Sequence, residues 1–345
     1  MSAAKQSPLI FVTGASRSGT TLMNRLLGNH STVLGLRELH YFGDLFEASN
    51  QAVELSLEQA QKAATMLFAR QRVDLWHATA QQEDQQQTTA LLAAQTDSTN
   101  AHPLAHPLTD GFELYAAAVN QLAQKAHKQV ACEQTPRNIF YAKQLLAAYP
   151  NARIIHMLRD PRGVMASQKQ RWRMRQLGAN KVPIVETVRT RVNYHPITMS
   201  RLWNGATERA LEIVDHPRVR HVFFEDLTAD PAVQLQQVCE WLQLNYEPGM
   251  LDVPHYGSST TTSSKNSGVS SSVKEQWRSL LTMAEQRTVQ TLSGELMQQC
   301  GYSIDDGINP GISLLQRLSY PFHLAGAAIA NPRRALTLAK GLLQR

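Results

Sequence analysis

The stretch Pro8–Thr21, PLIFVTGASRSGTT, decides the fold of this chain. Its apolar run Leu9–Val12 predicts a strand buried on both faces. Gly14 and Gly19 follow and bracket a tight loop, since glycine lets the backbone turn sharply and approach a ligand closely. Apolar residues at helical spacing begin after Gly19. The stretch therefore predicts a strand, a loop and a helix N-terminus, an arrangement that binds phosphate or sulfate through backbone N–H groups.

The loop matches only part of the nucleoside-triphosphatase pattern, which is Gly, four residues and Gly-Lys-Ser/Thr. Gly14 and Gly19 have the spacing, but Thr20 stands at the lysine position and the positive charge lies inside the loop as Arg17. A triphosphate with its metal needs the lysine and an acidic partner, whereas arginine, hydroxyls and amides suffice for an anionic group without a metal. A P-loop kinase and a plain glycine-rich turn remain the alternatives.

The run Gly14–His30, GASRSGTTLMNRLLGNH, resembles the 5′-phosphosulfate loop of sulfotransferases that use 3′-phosphoadenosine 5′-phosphosulfate (PAPS). Its Arg-Ser-Gly-Thr-Thr is similar to that of the protein-tyrosine and carbohydrate branches. The resemblance implies a P-loop-like α/β sandwich of three layers, in which a mainly parallel sheet has helices on both faces. It also implies that the 5′-phosphosulfate is bound by Arg17, Ser18, Gly19, Thr20 and Thr21.

Two candidate proton acceptors follow the second predicted strand. Glu38 and His40 are two residues apart and share a face if the segment is extended. A carboxylate or a neutral imidazole there could take a proton from an acceptor hydroxyl. The string resembles the Glu-x-His-Phe-Phe of heparan-type sulfotransferases, and the family's general base lies about twenty residues beyond the loop arginine. We therefore predict Glu38 as the base and His40 as the reserve. The alternative is a surface ion pair of Glu38 with Arg37 or Arg25.

A second anion site is predicted where the fourth strand ends. Asp160 can cap a helix that has Pro161 in its first turn, which leaves Arg159 at the carboxyl edge of the strand. A guanidinium and a hydroxyl can clamp a dianionic phosphate. In sulfotransferases an Arg and a Ser eight positions later bind the 3′-phosphate, and Arg159 and Ser167 have this spacing. A capped helix with surface arginines is the alternative.

Three positions match the family pattern less well. Gln134 stands where the family's Lys-x-Pro segment has its lysine, and Phe224 replaces the tyrosine of Tyr-Glu-Asp-Leu. The Ser/Thr/Gly-rich segment 257–272 and Lys274 loosely resemble a late loop that folds over the nucleotide, although a surface loop explains them almost as well. These departures keep open a catalytically inactive PAPS- or anion-binding protein of the same fold.

Charge and cysteine content limit the partners. The 345 residues carry a net charge of +6, which suits a nucleotide, a sulfated product or a membrane surface. No nucleic-acid motif is present, so we expect no nucleic-acid partner. Cys132, Cys239 and Cys300 are too far apart for a disulfide framework or a zinc pattern. His102 and His106 are each followed by proline and indicate a loop, so we expect no metal.

The predicted organisation is a sulfotransferase domain over residues 1–309 and a tail over 310–345. Within the domain, the helical, Ala- and Gln-rich insertion 44–127 is predicted to cover the acceptor site. In the tail, a basic amphipathic helix begins at Pro332, and it docks on the protein itself, on a second copy or on a membrane surface. The first strand begins near residue 8 and no run of about 18 apolar residues occurs. We therefore expect a cytoplasmic protein, with peripheral membrane contact as an option.

Taken together, these patterns predict a PAPS-dependent sulfotransferase that transfers a sulfuryl group to a hydroxyl. The acceptor stays open among carbohydrates, lipids and small molecules.

Overall fold

The computed structural model describes residues 7–48, 54–73, 77–96, 110–173, 183–253 and 276–332. The chain divides into two compact units, and each is described by itself. Unit 1 comprises Met1–Leu158 and Arg209–Val253, and unit 2 comprises Arg159–Glu208 and Pro254–Arg345.

The strands of the described residues all lie in unit 1, and the helices belong to both units. The strands are β1 (Leu9–Gly14), β2 (Val33–Gly35), β3 (Val130–Glu133), β4 (Ala152–Leu158) and β5 (Val219–Phe223). The α-helices are α1 (Thr20–Gly28), α2 (Leu57–Arg72), α3 (Gln82–Thr96), α4 (Gly111–Lys125), α5 (Ala142–Ala148), α6 (Pro161–Gln170), α7 (Ile184–Val192), α8 (Pro196–Leu211), α9 (Phe224–Ala229), α10 (Pro231–Leu242), α11 (Trp277–Leu280), α12 (Met283–Gln299) and α13 (Leu314–Ala330).

A five-stranded sheet forms the centre of unit 1, in the order β2-β3-β1-β4-β5. Every pairing in it is parallel. All six residues of β1 are buried, so both faces of the sheet are covered at its central strand. The predicted α/β class with a parallel sheet is confirmed. Because parallel strands share one direction, the loops after β1 and β3 leave the same edge of the sheet.

An aromatic cluster packs against one face of β1. The ring of Phe11 stacks on Tyr115 at 5.9 Å and on Tyr149 at 6.0 Å between centroids. Phe42 lies 4.8 Å from Tyr115 and is fully buried. Tyr115 belongs to α4, so the last helix of the predicted insertion is part of the core of unit 1. That the insertion covers an acceptor remains a prediction.

Capping residues begin two of the helices of unit 2. Asp160 caps α6 by accepting a hydrogen bond from the Arg162 N–H, and Pro161 follows as the first helical residue, as predicted. Thr282 and Glu285 form a reciprocal capping box at the start of α12. The helix α13 was absent from the sequence-based prediction for the tail. The predicted basic helix begins at Pro332, and its residues from 333 onward lie outside the described residues.

The longest α-helices of the described ranges, α12 and α13, have 17 residues each. No helix in those ranges is both long enough and apolar enough to span a bilayer.

Candidate active site

The loop between β1 and α1 has a backbone that requires its two glycines. Gly14 has φ +146° and Gly19 has φ +96°, values that side-chain-bearing residues rarely adopt. A Cβ on Gly14 would overlap the carbonyl oxygen of Met157, and one on Gly19 would lie 2.5 Å from Cδ2 of Phe224. Arg17 also takes a left-handed conformation, with φ 77°. The chain is therefore folded tightly over Gly14–Gly19 and enters α1 at Thr20.

The loop leaves polar groups inside unit 1 that suit an anion. Ser18 is fully buried, and its Oγ has no hydrogen-bond partner among the described residues. Gly19 stands at the N-cap without a side-chain cap, and the first N–H groups of a helix have no partner within the helix. A buried hydroxyl beside such a terminus fits a phosphate or sulfate oxygen. The loop residues thus fit the 5′-phosphosulfate predicted for them.

Gln134 contacts this loop directly. The Thr21 hydroxyl donates a hydrogen bond to Gln134 Oε1 at 3.0 Å, and Gln134 is buried. The position that holds lysine in the family pattern is therefore beside α1, as the resemblance implies. A neutral amide occupies it here, so this position contributes no positive charge.

Glu38 and His40 form a pair. Oε2 of Glu38 lies 3.1 Å from Nε2 of His40. The His40 side chain is largely buried, whereas that of Glu38 is 39% exposed. The prediction assumed that this segment is extended. The structure differs, because His40 has φ 45° and the chain turns there. The Glu38 carboxylate is therefore accessible to a ligand, whereas the His40 imidazole is mostly shielded from solvent.

A buried carboxylate, missed by the sequence reasoning, holds this pair in place. Glu133, at the end of β3, accepts hydrogen bonds from the Leu39 N–H at 3.1 Å, from Asn138 Nδ2 at 2.5 Å and from the Thr135 hydroxyl. The Thr135 hydroxyl oxygen also accepts from the His40 N–H at 3.1 Å. Burial raises the pKa of Glu133 to about 7, although the hydrogen bonds from Thr135 and Leu39 oppose the shift. The one available signal was an acid closing an apolar strand, Val130–Glu133.

Arg70 of α2 fixes the same segment from another side. Its Nη1 donates to the carbonyl oxygen of Leu39 at 2.7 Å and to that of His40 at 2.8 Å. It also lies 3.7 Å from the Asp44 carboxylate. No local pattern pointed to this residue, because it lies 30 positions from His40 and only tertiary packing brings them together.

Unit 2 contains the second predicted anion site. Arg159 and Ser167 are both buried. The Arg159 backbone carbonyl accepts a hydrogen bond from Trp203 Nε1 at 2.9 Å. A Cβ on Gly163 would lie 3.1 Å from Arg159 Nε, so the guanidinium lies beside the first turn of α6. The alternative of a helix with only surface arginines is therefore wrong. That Arg159 and Ser167 bind a 3′-phosphate stays a prediction, and Lys274 lies outside the described residues.

A comparison with protein families identifies the family of this chain. The model of the sulfotransferase family matches residues 8–248, which include the loop, the Glu38–His40 pair, Arg159 and Ser167. The chain belongs to the sulfotransferase family. A curated relative, carbohydrate sulfotransferase 5 of Mus musculus, is 28% identical over 166 residues, which are 44% of this chain and 42% of that protein. The chain thus spans less than half the length of this relative.

Solved sulfotransferase domains share the fold. The domain from the Synechococcus PCC 7002 olefin synthase covers 87% of this chain and 96% of its own, with 19% identity and a TM-score of 0.52. The domain from the curacin biosynthetic pathway covers 87% of this chain and 99% of its own, with 18% identity and a TM-score of 0.52. The predicted family and fold are confirmed, and the family is one of transferases that use PAPS.

Two departures of this sulfotransferase-family chain meet at the loop. Gln134 accepts a hydrogen bond from the Thr21 hydroxyl, and the ring of Phe224 lies against Gly19. The first removes a positive charge and the second removes a hydroxyl but retains packing.

The metal and cysteine predictions concern other parts of the chain. Among the described residues, no group of three or more His, Cys, Asp or Glu side chains is placed to hold a metal ion. His102 and His106 lie outside those residues. Cys132, Cys239 and Cys300 are buried free thiols.

Proposed function

We propose that this protein transfers the sulfuryl group of PAPS to a hydroxyl of an acceptor. One observation carries the proposal: consecutive residues at the end of β3 contact both the start of α1, where the loop Gly14–Gly19 ends, and the Glu38–His40 pair. Gln134 contacts Thr21 of α1, and Thr135 contacts the His40 backbone. A site for an anionic donor and a candidate base are therefore held by the same short segment of unit 1.

The loop residues bind the donor in this proposal. Backbone N–H groups at the start of α1, the Ser18 hydroxyl and the side chains of Arg17, Thr20 and Thr21 hold the 5′-phosphosulfate. During transfer, negative charge builds on the oxygen that leaves with the 5′-phosphate. Donors that are already positioned at such an oxygen commonly supply the largest share of catalysis. The conformation required by Gly14 and Gly19 keeps them positioned.

Glu38 acts as the base and His40 supports it. The exposed carboxylate takes the proton of the acceptor hydroxyl, whose oxygen then attacks sulfur. The imidazole at 3.1 Å orients the carboxylate and is the reserve acceptor of that proton. Glu133, Thr135 and Arg70 hold the backbone of Leu39 and His40, so the base keeps its direction when the acceptor binds.

Arg159 and Ser167 bind the 3′-phosphate in this proposal. Lys274, which lies outside the described residues, is kept as a nucleotide-binding candidate on the loose resemblance alone. The support for Arg159 and Ser167 is the spacing shared with the family, together with the burial of Arg159 beside the first turn of α6. A buried guanidinium beside a helix N-terminus suits a dianionic phosphate.

The acceptor class remains to be determined by screening among carbohydrates, lipids and small hydroxyl compounds. Carbohydrates come first, because a curated relative is named as a carbohydrate sulfotransferase. We also propose that the protein works in the cytoplasm without a metal and without a nucleic-acid partner.

The second candidate is an inactive PAPS-binding protein. It is favoured by Gln134, whose neutral amide replaces the cation expected beside the loop and already accepts a hydrogen bond from Thr21. Such a protein would bind the product 3′-phosphoadenosine 5′-phosphate (PAP) and show no transfer to any acceptor.

The test is a transfer assay with labelled PAPS, in the presence of a chelator, against a panel of hydroxyl acceptors. With an acceptor found, Glu38→Gln should lower turnover by about 10²–10⁴-fold, the usual contribution of a general base. PAP affinity should be unchanged, because the carboxylate faces the acceptor. His40→Ala should cost less, and Glu58→Gln on the exposed start of α2 is the matched control.

Three outcomes contradict parts of the proposal. Binding of PAP without transfer identifies the inactive alternative. Full activity of Glu38→Gln with a large loss in His40→Ala moves the base to the histidine. Phosphoryl transfer from ATP in a parallel assay with added magnesium and no chelator, in place of sulfuryl transfer, identifies a kinase.

A further inference from the structure

The surface helix α13 of unit 2 exposes apolar side chains and turns polar ones inward. A helix at the surface of a protein usually turns its apolar stripe inward and its polar face to solvent. In α13 the exposed positions fall within an arc of about 180°, at about 100° per residue. Ten exposed residues occupy this arc, and nine of them are apolar: Leu314, Leu315, Leu318, Pro321, Phe322, Leu324, Ala325, Ala328 and Ile329, with Arg317 as the exception. We call these nine residues the apolar face of α13.

Over residues 316–323 the opposite side of α13 is polar and is hydrogen-bonded to other parts of unit 2, and three small residues continue this side to the end of the helix: Gly326, Ala327 and Ala330. Gln316 Oε1 accepts from the Thr288 hydroxyl at 2.6 Å, and the Tyr320 hydroxyl accepts from Arg201 Nη1 at 3.1 Å. Two further pairs involve histidines: Ser319 with His195 at 3.2 Å, and His323 with Thr198 at 2.8 Å. Four side chains on three turns are thus anchored by hydrogen bonds. The orientation of α13 is therefore held by specific contacts, and its apolar face points outward as a consequence.

The apolar face contains large and strongly exposed side chains. Phe322 is 79% exposed, Leu315 78% and Ile329 81%. The neighbouring helix α7 adds Ile184, at 65%, and Val185, at 68%. Scattered exposed apolar residues are common, but a contiguous apolar face on one helix marks a surface that contacts something apolar.

The charges around α13 indicate what kind of apolar partner this face contacts. Residues 307–345 contain five Lys or Arg and no Asp or Glu. In the described part, Arg317 is exposed beside the apolar face, and the exposed Arg201 lies over the ring of Tyr320. Arg189 Nε donates to the Ala330 carbonyl at 3.1 Å, and its charge is paired with Glu186. An apolar face flanked by arginines matches an anionic lipid surface, where acyl chains meet negative headgroups.

We propose that the apolar face of α13 docks on an anionic membrane surface, with the helix lying in the interface. A second copy of the chain fits less well, because a two-fold contact places identical surfaces together. The basic flank would then face itself, and residues 307–345 offer no acidic side chain to pair with it. The proposal does not include insertion across the bilayer, because α13 has only 17 residues and contains Pro321.

The test uses the full-length protein and sedimentation with vesicles of phosphatidylcholine, with or without 30% phosphatidylserine. The double variant Leu318→Gln with Phe322→Gln removes apolar area without changing charge. Its matched control is Leu57→Gln with Val233→Gln, two exposed apolar residues on helices of unit 1. Wild type and control should bind the phosphatidylserine vesicles, and the α13 variant should bind at least about tenfold more weakly.

A second variant tests the charge. Arg317→Gln should weaken binding to phosphatidylserine vesicles by about fivefold and reduce its salt dependence, while binding to pure phosphatidylcholine changes little. Thermal melts should be unchanged for both variants, since the substituted side chains are exposed. Two results would overturn the proposal. One is a wild-type protein that does not sediment with vesicles of either composition. The other is a wild-type dimer that becomes a monomer in the α13 double variant while vesicle binding is unaltered.

Discussion

Replacing Glu133 by glutamine should make the protein more stable near neutral pH, although it removes a buried hydrogen-bonded residue. Glu133 is 2% exposed and accepts hydrogen bonds from Leu39, Thr135 and Asn138. Burial raises its pKa from 4.5 to about 7. Glutamine has the shape of the protonated acid, with one carbonyl oxygen and one donor group, so the variant imitates the form that the folded protein holds below that pKa. A turn of the Asn138 amide presents its Oδ1, which has no partner among the described residues, to that donor group.

The magnitude follows from the two pKa values. In the unfolded chain Glu133 ionises near pH 4.5, whereas in the folded protein it keeps its proton up to about pH 7. Between these values the folded state binds more protons, so the free energy of unfolding of the wild type falls as pH rises. The fall is about 1.4 kcal/mol per pH unit, or roughly 3 kcal/mol over the window. Below pH 4.5 the contribution is fully present, and above pH 7 it is lost.

The assay is urea unfolding of wild type and Glu133→Gln at intervals between pH 4.5 and pH 8. The two proteins should have similar stability at the acid end, and the variant should lead by up to about 3 kcal/mol at pH 7 and above. Other titrating groups cancel in the difference, and Glu58→Gln serves as the exposed control. A difference that is constant with pH would refute the reasoning. So would a variant whose deficit grows with pH, because the hydrogen bonds would then outweigh burial.

Three further predictions concern the ligand sites and the tail. Arg159→Ala should weaken PAP binding by about 2–4 kcal/mol in calorimetry and leave binding of adenosine 5′-phosphosulfate, which lacks the 3′-phosphate, nearly unchanged; equal losses would end the assignment. Gln134→Lys should raise turnover by up to about 10²-fold, because a cation is restored beside the transferring group, and unaltered transfer rates would show that the loop needs no second charge. Deletion of residues 331–345 should keep turnover and reduce sedimentation with anionic vesicles most at low salt, whereas a lower melting temperature with unaltered sedimentation would place the tail on the protein itself.

Local signals in the sequence were sufficient for the elements around the loop. The apolar run Leu9–Val12 predicted β1, and the glycine spacing predicted the turn into α1, because backbone conformation at Gly14 and Gly19 depends on the residue itself. The cap and first turn of α6 were predicted for the same reason, since Asp160 and Pro161 act on their immediate neighbours. The structure bears out each of these elements.

Contacts between distant segments were beyond such reasoning. Glu133 reaches the Leu39 N–H across 94 positions, and no propensity or spacing refers to a partner so far along the chain. The Glu38–His40 pair was predicted from an extended segment, yet the left-handed turn at His40 is what the structure has. Arg70 was unremarkable in the sequence because its role depends on where α2 packs.

By itself, then, the sequence determined the parallel α/β class, the tight loop Gly14–Gly19 and the family, and it pointed to Glu38 as the candidate base. Each depends on residues that interact within a few positions, or on a string of residues that the family shares. Only the tertiary structure decided the support around the base and the direction of α13. Helical spacing predicts that an apolar stripe faces inward, but the hydrogen bonds of Gln316, Ser319, Tyr320 and His323 hold the polar side against unit 2. Which face of a helix is buried is settled by its partners, and these lie elsewhere in the chain.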